Sequence, residues 1–425
     1  MQYIWQHRLW PNGQMRTVDG QRISVINPGQ LNTNSGPDFF NAKISIGDNM
    51  WAGDVEIHVR ASDWHRHGHD GDPAYDSVIL HVVDRDDAQI SRSDGQTIPQ
   101  MVMPCNPTFY KDYATLVDRS DLDLPCAGYI GELQQMFLTD WMTALAYERL
   151  YSKTDRIDGL LKRFDGDWES ACYVTVARCL GFGINGDPFE RLALSLPLSF
   201  IGKHADSLPT IEAMLFGQSG LLEQAASEPY TDALRAEYRF ASHKFGLKPV
   251  VSPGWKMSRM RPANQPHRRI ATLAAMLCGG FRMLSRFLSI TTEKEAAEIL
   301  NPVLTGYWLD HYTFGSLSPH SSTGLSRSSV DSLIINAVVP LQMAYAVHHD
   351  NTPLADNALA LLQSLPAEKN SIVDIFSRSG MKIRDAFCSQ AVIQLRRQYC
   401  DAHKCLYCRI GHRMLSGKVS RRVNA

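Results

Sequence analysis

The chain has 425 residues, of which 44% are hydrophobic and 20% are charged, and its formal net charge is −1. This length predicts two or three domains with real hydrophobic cores, and the composition excludes a disordered or fibrous protein. The N-terminal segment lacks the regions of a signal peptide, no apolar run approaches the length of a membrane span, and nine cysteines do not indicate a disulfide scaffold. We therefore expect a cytoplasmic protein with no membrane partner.

Residues 1–105 predict a β-rich domain. A short amphipathic helix opens it, Asp19-Gly20 is a good hairpin turn, and several runs then alternate as strands do. The nearly apolar run 78–83 predicts a central strand that is covered on both faces. The predicted elements are a helix at 2–10 and strands near 16 and at 22–26, 39–46, 53–59, 78–83 and 99–104.

Three chemically active side chains lie at the ends or on alternate positions of these strands. Asp38 follows Pro37 at a strand start, whereas Glu56 and His58 are two residues apart on the next strand and share one face. This Pro-Asp and Glu-x-His spacing resembles the PD-(D/E)xK nuclease superfamily, with histidine in the place of the superfamily's lysine. The alternative is ordinary turn chemistry followed by a solvated strand face.

The resemblance implies a metal-dependent phosphodiesterase that acts on DNA or RNA. Asp38 and Glu56 would hold Mg²⁺ or Mn²⁺, which polarises a scissile phosphate and lowers the pKa of the attacking water. His58 would orient or deprotonate that water, or add a nitrogen ligand that favours Mn²⁺ or a later transition metal. Asn32 would help to bind the substrate. The first predicted helix lacks the further acidic residue that such nucleases often carry.

A loop rich in histidine and aspartate follows the second of these strands. Its ligand-type residues are Asp63, His65, His67, His69, Asp70 and Asp72. This density predicts metal binding with His67 and His69 as additional ligands, although a solvated loop can also carry a His-x-His-x-His run. A different metallohydrolase, centred on His65, His67, His69 and Asp70 or Asp72, is therefore an alternative to the nuclease.

A proline-punctuated linker at 106–130 leads into a helical region. Apolar residues recur there at helical spacing, and glycine and asparagine mark helix ends. Residues 131–385 therefore predict a large all-α domain. Its predicted helices are 133–150, 157–164, 168–180, 188–196, 211–217, 231–245, 270–288, 292–300, 330–347, 355–365 and 381–399.

The segment 243–269 within this region is basic and contains no acidic residue. An acidic metal site combined with a basic surface is what a protein needs to bind a phosphate backbone. We therefore predict that four arginines hold substrate phosphates, although a solvated basic loop is the simpler alternative. These arginines are Arg259, Arg261, Arg268 and Arg269.

The C-terminal segment 386–425 is basic and contains the pattern Cys388-x₁₁-Cys400-x₄-Cys405-x₂-Cys408. Four thiolates satisfy tetrahedral Zn²⁺ or an iron–sulfur cluster, and a Cys-x₂-Cys turn lets two thiolates bind one ion. His403 or His412 could replace Cys388 as the fourth ligand, and reduced thiols without metal are the alternative. The remaining cysteines are scattered, and we expect them to be packed thiols.

Several motifs along nearly the whole chain point to one family. They include Asn32-x-x-x-Gly36-Pro37-Asp38-Phe39, Gly53-Asp54-Val55-Glu56-Ile57-His58, Leu215-Phe216-Gly217-Gln218 and Tyr399-Cys400-x-x-x-x-Cys405-Leu406-x-Cys408. The chain resembles the bacterial family known as domain of unknown function 2851, which is common in Bacteroidetes. That resemblance implies no established activity.

The fold class that we predict is α+β, with an N-terminal mixed-sheet, nuclease-like α/β domain and a larger all-α domain that ends in a cysteine clasp. Three functions stay open. The first is a metal-dependent nuclease-like phosphodiesterase, and the second is a non-catalytic nucleic-acid-binding protein on a degenerate nuclease core. The third is the His/Asp metallohydrolase.

Overall fold

A computed structural model of the chain describes residues 1–10, 15–104, 107–118, 124–251, 254–280, 282–318 and 324–416. They form two compact units. The first comprises Met1–Leu133 together with the segment that starts at Gln398, and the second comprises Gln134–Arg397. The first unit contains a mixed sheet and the second is helical, which confirms the predicted order of a mixed sheet followed by a helical region.

The predicted C-terminal segment 386–425 is divided between the two units, because its first helix belongs to the second unit and the chain from Gln398 belongs to the first. Cys105 and the linker positions 106 and 119–123 lie outside the described residues. The same is true of the basic tail beyond position 416.

The first unit is built on a sheet whose described strands follow the order β1-β2-β4-β5-β6-β7, with β3 paired to β4. Its helices before the second unit are α1 (Gln2–His7), α2 (Asp63–Arg66), α3 (Pro107–Asp118) and α4 (Ala127–Ile130). Its strands are β1 (Met15–Arg16), β2 (Arg22–Asn27), β3 (Gln30–Leu31), β4 (Phe39–Ile46), β5 (Asn49–Arg60), β6 (Val78–Arg85) and β7 (Gln100–Val102).

Strands β4 and β5 form an antiparallel hairpin, whereas β5, β6 and β7 are parallel neighbours. Every residue from Val78 to Val83 is buried, as expected of a central strand. Gly53 permits the close approach of the chain that enters β6, because a Cβ atom there would lie 2.6 Å from the carbonyl oxygen of Ser77. Because β5 and β6 are parallel, the residues between them must cross over one face of the sheet.

The second unit is a set of packed helices with one small strand pair, β8 (His311–Thr313) and β9 (Ser316–Leu317). Its helices are α5 (Gln135–Arg163), α6 (Trp168–Leu180), α7 (Gly186–Ser195), α8 (Leu198–Gly202), α9 (Leu208–Gln218), α10 (Pro229–Phe245), α11 (Pro266–Leu277), α12 (Met283–Leu288), α13 (Glu293–Leu300), α14 (Arg327–Leu333), α15 (Val339–His348), α16 (Thr352–Ser364), α17 (Ser371–Arg378) and α18 (Ala386–Gln394). The first unit then closes with a 3₁₀ turn at Cys405–Tyr407 and with α19 (Arg409–Leu415).

Three predicted helix boundaries are wrong, one of them being the start of the helix predicted at 381–399, which begins at Ala386 because Asp385 is its N-cap. The separate helices predicted at 133–150 and 157–164 are one helix, α5, because the polar residues between them include no glycine or proline to break it. The single helix predicted at 270–288 is interrupted, because Gly279 and Gly280 adopt positive φ angles of 88° and 97°.

Helices α14 and α15 are joined by a π-helical turn at Ile334–Val338. The resulting stretch, Arg327–His348, has the length and composition of a membrane-spanning helix, but 72% of its most apolar part is buried inside the protein. A core helix meets the same criteria.

The π-helical turn also contacts a half-buried cationic group on α5. The Nζ atom of Lys153 donates hydrogen bonds to the carbonyl oxygen of Ile335 at 3.1 Å and to Oε1 of Gln390 at 2.6 Å. Desolvation of the ammonium group, with a contribution from the nearby positive charge of Arg149, lowers the pKa of Lys153 from 10.5 to about 7. The folded protein therefore binds this proton more weakly than the unfolded chain.

This shift predicts a stability that rises with pH above about 7, because the unfolded chain retains the Lys153 proton up to its ordinary pKa of 10.5. Between about pH 7 and 8.5 we expect Lys153→Met to flatten the pH dependence of the unfolding free energy by up to about 1.4 kcal/mol per pH unit, the value for one proton. Urea unfolding at several pH values measures the slope. Lys162→Met, at an exposed position of the same helix, is the matched control, and an unchanged slope in Lys153→Met would contradict the assignment.

Candidate functional site

Asp38 lies directly before β4, in a loop that Asn32 holds in shape. The side-chain amide of Asn32 donates to the carbonyl oxygens of Ser35 and Pro37 at 3.1 and 3.0 Å, and its backbone N–H donates to the carbonyl oxygen of Asp38. These bonds fix the entry into the strand. Asn32 therefore supports the loop, and its contact with a substrate stays a prediction.

Asp38 and Glu56 are tied together across β4 and β5. The backbone N–H of Asp38 donates to Oε2 of Glu56 at 2.9 Å, and the backbone N–H of Ile57 donates to Oδ2 of Asp38 at 3.1 Å. Gln2 on α1 donates its side-chain amide to Oδ1 of Asp38 at 2.6 Å. The two predicted carboxylates therefore lie side by side, and α1 supplies an amide donor to one of them.

The surroundings favour the neutral form of both carboxyl groups. Burial, followed by the nearby charge of Asp38, raises the pKa of Glu56 to about 8. Burial also raises the pKa of Asp38, against the hydrogen bonds from Ile57 and Gln2. A divalent cation at this point would reverse both shifts, because it stabilises the ionised carboxylates.

Two histidines lie beside the remaining oxygen of Glu56, and a third lies beside one of them. Nε2 of His58 lies 3.3 Å and Nε2 of His69 lies 3.7 Å from Oε1 of Glu56, and Nε2 of His58 lies 3.1 Å from Nδ1 of His67. The ligand atoms of the three histidines lie within 4.8 Å of one another, as the ligands of one metal ion would. The structure thus brings together five predicted site residues, Asp38, Glu56, His58, His67 and His69.

The crossover from β5 to β6 holds these histidines in place. Its helix α2 carries Trp64, which is fully buried against Val78 and contacts the rings of His69 and Tyr75 edge to face. The ring of His69 also stacks on Tyr75 with a centroid distance of 3.7 Å. Glu56, His58 and His69 are 6%, 7% and 9% exposed, so the polar cluster is buried beneath the crossover, whereas His67 is exposed at its edge.

Two further polar residues of the site were missed by the sequence analysis. His81 on β6 pairs with Glu56 across the parallel strands, and Gln100 on β7 pairs with His81 in the same row. Nδ1 of His58 lies 2.9 Å from Nε2 of His81, and Nδ1 of His81 lies 3.0 Å from Oε1 of Gln100. The available signal was a histidine in the middle of an otherwise apolar, buried strand.

The other polar residues of the crossover have separate roles. His65 pairs with Asp70 at 2.8 Å in an exposed ion pair, and this partner raises the pKa of His65. Asp72 caps the 3₁₀ turn at Pro73–Tyr75, and Asp63 accepts a hydrogen bond from the backbone N–H of Arg60. The predicted set of His65, His67, His69 and Asp70 or Asp72 is therefore split, because two of its members bind each other at the surface.

A cleft of about 350 Å³ lies beside His58 in the first unit. Gln2, Tyr3 and Gln6 of α1 form one side, and Leu406 and Tyr407 of the C-terminal 3₁₀ turn form another. Tyr407 is 69% exposed, so its ring is available at the rim. The cysteine-containing segment thus contributes a wall of the cleft.

The predicted phosphate-binding arginines belong to the second unit. Arg259 and Arg261 are exposed, whereas Arg268 and Arg269 are each 3% exposed. Arg268 donates to the carbonyl oxygens of Trp308 and His311, and Arg269 donates to Oδ1 of Asn264 at 2.6 Å and stacks on Phe182. The burial of Arg268 and Arg269 argues against phosphate binding by these two, and for Arg259 and Arg261 it stays a prediction.

The predicted cysteine ligands are divided between the two units. Cys388 lies on α18 in the second unit, whereas Cys400, Cys405 and Cys408 belong to the first. Among the described residues no three thiols converge as the histidines do. Burial, and then the nearby thiols of Cys408 and Cys405, raise the pKa of Cys126 to about 12. Cys126 therefore lies close to the Cys-x₂-Cys turn. Zinc or an iron–sulfur cluster at this segment stays a prediction.

Comparison with known proteins gives one match. No match was found among the curated proteins or among the solved structures. The family model described as "Protein of unknown function (DUF2851)" matches residues 1–371, which include the whole sheet and all five clustered site residues. The chain therefore belongs to the DUF2851 family.

Proposed function

We propose that the protein is a metal-dependent phosphodiesterase that cleaves DNA or RNA, with Asp38, Glu56 and His58 as its catalytic set. One observation carries the proposal. Two adjacent antiparallel strands bring the carboxylates of half-buried Asp38 and buried Glu56 together, and His58, two residues after Glu56, lines a cleft. This arrangement is the one that the PD-(D/E)xK resemblance implies.

The two carboxylates have different tasks. Glu56 uses Oε2 to accept the N–H of Asp38 and presents Oε1 to the histidines, where a cation can bind it. Asp38 joins the strands through Ile57 and adds its negative charge beside Glu56. A divalent ion bound here would polarise a scissile phosphate and lower the pKa of the attacking water.

His58 stands where the nuclease superfamily has lysine. Burial and then the neighbouring histidines lower its pKa to about 3, so that the ring is neutral at physiological pH. An imidazole with so low a pKa is a weak base. This favours a role as a ligand or an orienting group over a role as the proton acceptor.

The cleft supports a nucleic-acid substrate. Gln2 and Gln6 supply amide donors beside His58, and the exposed ring of Tyr407 offers a face on which a base can stack. Such a combination of polar donors and one aromatic platform suits a single strand, whose bases are unpaired and turned outward.

A metallohydrolase with another substrate is a second candidate, and the convergence of His58, His67 and His69 favours it. Three histidines, or two histidines and a glutamate, are donor sets of catalytic zinc sites. Activity on carboxylic or phosphate monoesters, without cleavage of nucleic acid, would select this candidate.

We expect Glu56→Gln and Asp38→Asn each to lower the rate of nucleic-acid cleavage by about 10²–10⁴-fold, because each removes a charge from the ion and the reacting phosphate. The assay uses single- and double-stranded DNA and RNA with Mg²⁺, Mn²⁺ or Zn²⁺. Asp48→Asn, in the exposed turn of the same hairpin, is the matched control and should retain full activity. Cleavage that both site variants retain would refute the catalytic set, and binding without cleavage would indicate a nucleic-acid-binding protein.

Tyr407→Ala should weaken the binding of a single-stranded oligonucleotide by about 1–3 kcal/mol, the contribution of one base stacked on an aromatic ring. Tyr407→Phe keeps the ring and should bind like the wild type. Fluorescence anisotropy in the Glu56→Gln background measures the affinity without cleavage. Equal affinity of Tyr407→Ala and Tyr407→Phe would exclude stacking at this position.

A further inference from the structure

We propose that the ion of this site is a transition metal of the Zn²⁺ type, held by His58, His67 and His69 with Glu56 as the fourth ligand. The inference names the ion of the proposed phosphodiesterase and in that respect rests on the proposed function. Its test is the binding of a metal, which is measured without any cleavage.

The distances between the donor atoms fit a tetrahedral ion. With bonds of about 2.0–2.1 Å, a tetrahedral Zn²⁺ holds its ligand atoms about 3.3 Å apart. The Nε2 atom of His58 lies 3.1 Å from Nδ1 of His67 and 3.3 Å from Oε1 of Glu56, and Nε2 of His69 lies 3.7 Å from the same oxygen. The three imidazole nitrogens lie within 4.8 Å of one another, so rotation of the rings, and of His67 in particular, is needed to bring all four atoms around one ion.

A chain of hydrogen bonds behind the site fixes which nitrogen of His58 carries the proton. The side-chain amide nitrogen of Gln100 donates to the carboxylate of Asp86 and, at 3.1 Å, to the carbonyl oxygen of Ala88. Both partners are acceptors, so Oε1 of Gln100 must face His81 and accept its Nδ1–H. Nε2 of His81 is then an acceptor.

The next link reaches the site itself. Because Nε2 of His81 accepts, Nδ1 of His58 must be the protonated donor at 2.9 Å, and Nε2 of His58 keeps its lone pair. That bare nitrogen points at Glu56 and His67, where a metal ligand is needed. A second group that orients a ligating histidine through its other nitrogen is the usual support of a metal site.

The donor set selects the kind of ion. Mg²⁺ prefers oxygen ligands and keeps several waters, whereas imidazole nitrogen suits Zn²⁺ and its neighbours. His69 is held by stacking on Tyr75, and the exposed His67 provides an entry point for the ion. Zinc can also expand to five ligands, which leaves room for an oxygen of the substrate.

We expect the purified full-length protein, stripped of metal, to bind Zn²⁺ in calorimetry and Co²⁺ with the visible spectrum of tetrahedral nitrogen and oxygen ligation. His67→Ala and His69→Ala should both lose this spectrum. His65→Ala, two residues from His67 but paired with Asp70, is the matched control and should keep it. A sulfur charge-transfer band would instead place the metal at the cysteines.

The inference is overturned if the two site variants bind Co²⁺ as the wild type does, or if bound cobalt shows only sulfur ligation. Because His67 is exposed, we expect His67→Ala to fold normally. Circular dichroism checks this. Metal bound at the histidines in a protein that cleaves no nucleic acid would retain this inference and reject the phosphodiesterase. Cleavage that Mg²⁺ supports and that is unchanged in His67→Ala and His69→Ala would retain the phosphodiesterase and reject the histidine metal site.

Gln100 is a positioning residue that acts through His81, and Gln100→Leu should weaken Zn²⁺ binding by about 10-fold, the lower end of the effect of removing a group that orients a metal ligand. Gln96→Leu, at an exposed position before β7, is the matched control and should leave the affinity unchanged. Nitrogen-15 spectra of the histidine rings report the tautomer directly. In the metal-free wild type they should show a proton on Nδ1 of His58, and a proton on Nε2 would refute the hydrogen-bond chain.

Discussion

Parallel pairing of β5 with β6 and of β6 with β7 places Glu56, His81 and Gln100 side by side beneath the crossover. Polar groups buried in this way cost several kcal/mol each unless they find hydrogen-bond partners. Gln100, at one end of this row, meets this requirement by donating hydrogen bonds to Asp86 and to the carbonyl oxygen of Ala88. At the other end of the row, Glu56 and the histidines around it present carboxylate oxygens and imidazole lone pairs that one cation can bind together. The site is therefore a consequence of how the strands pair.

The crossover serves two needs at once. Parallel strands require a long connection, and its usual form is a helix that covers the sheet. Here the connection is short helix α2 followed by two 3₁₀ turns, with buried Trp64 packed on Val78 in place of a longer helix. Irregular backbone lets histidines that are close in sequence face different directions. His69 consequently faces Glu56, whereas His65 faces Asp70 at the surface.

Local patterns predicted the strands well, since β4 was expected at 39–46 and is observed at Phe39–Ile46. The shared face of Glu56 and His58 also followed from the period of two along a strand. The choice among the histidines of the crossover could not be predicted, because Gly68, with φ of 76°, turns the chain between His67 and His69. The role of His81 depends on the pairing of β6 with both neighbours, which a single sequence does not show. The same non-local limit applies to Cys388, which belongs to a different unit from Cys405 and Cys408.

In the proposed nuclease, histidine at position 58 replaces the superfamily's lysine, and this changes the charge of the site. A lysine beside Glu56 would bring its own positive charge to the two carboxylates, whereas a neutral imidazole brings a lone pair and no charge. Asp38 and Glu56 together then carry two negative charges when ionised, and burial makes that state costly, as the raised pKa values of both show. Two more neutral imidazoles add ligands without adding charge. One divalent ion would therefore neutralise the two carboxylates and satisfy the three nitrogens, which explains why the histidines and the carboxylates occur together.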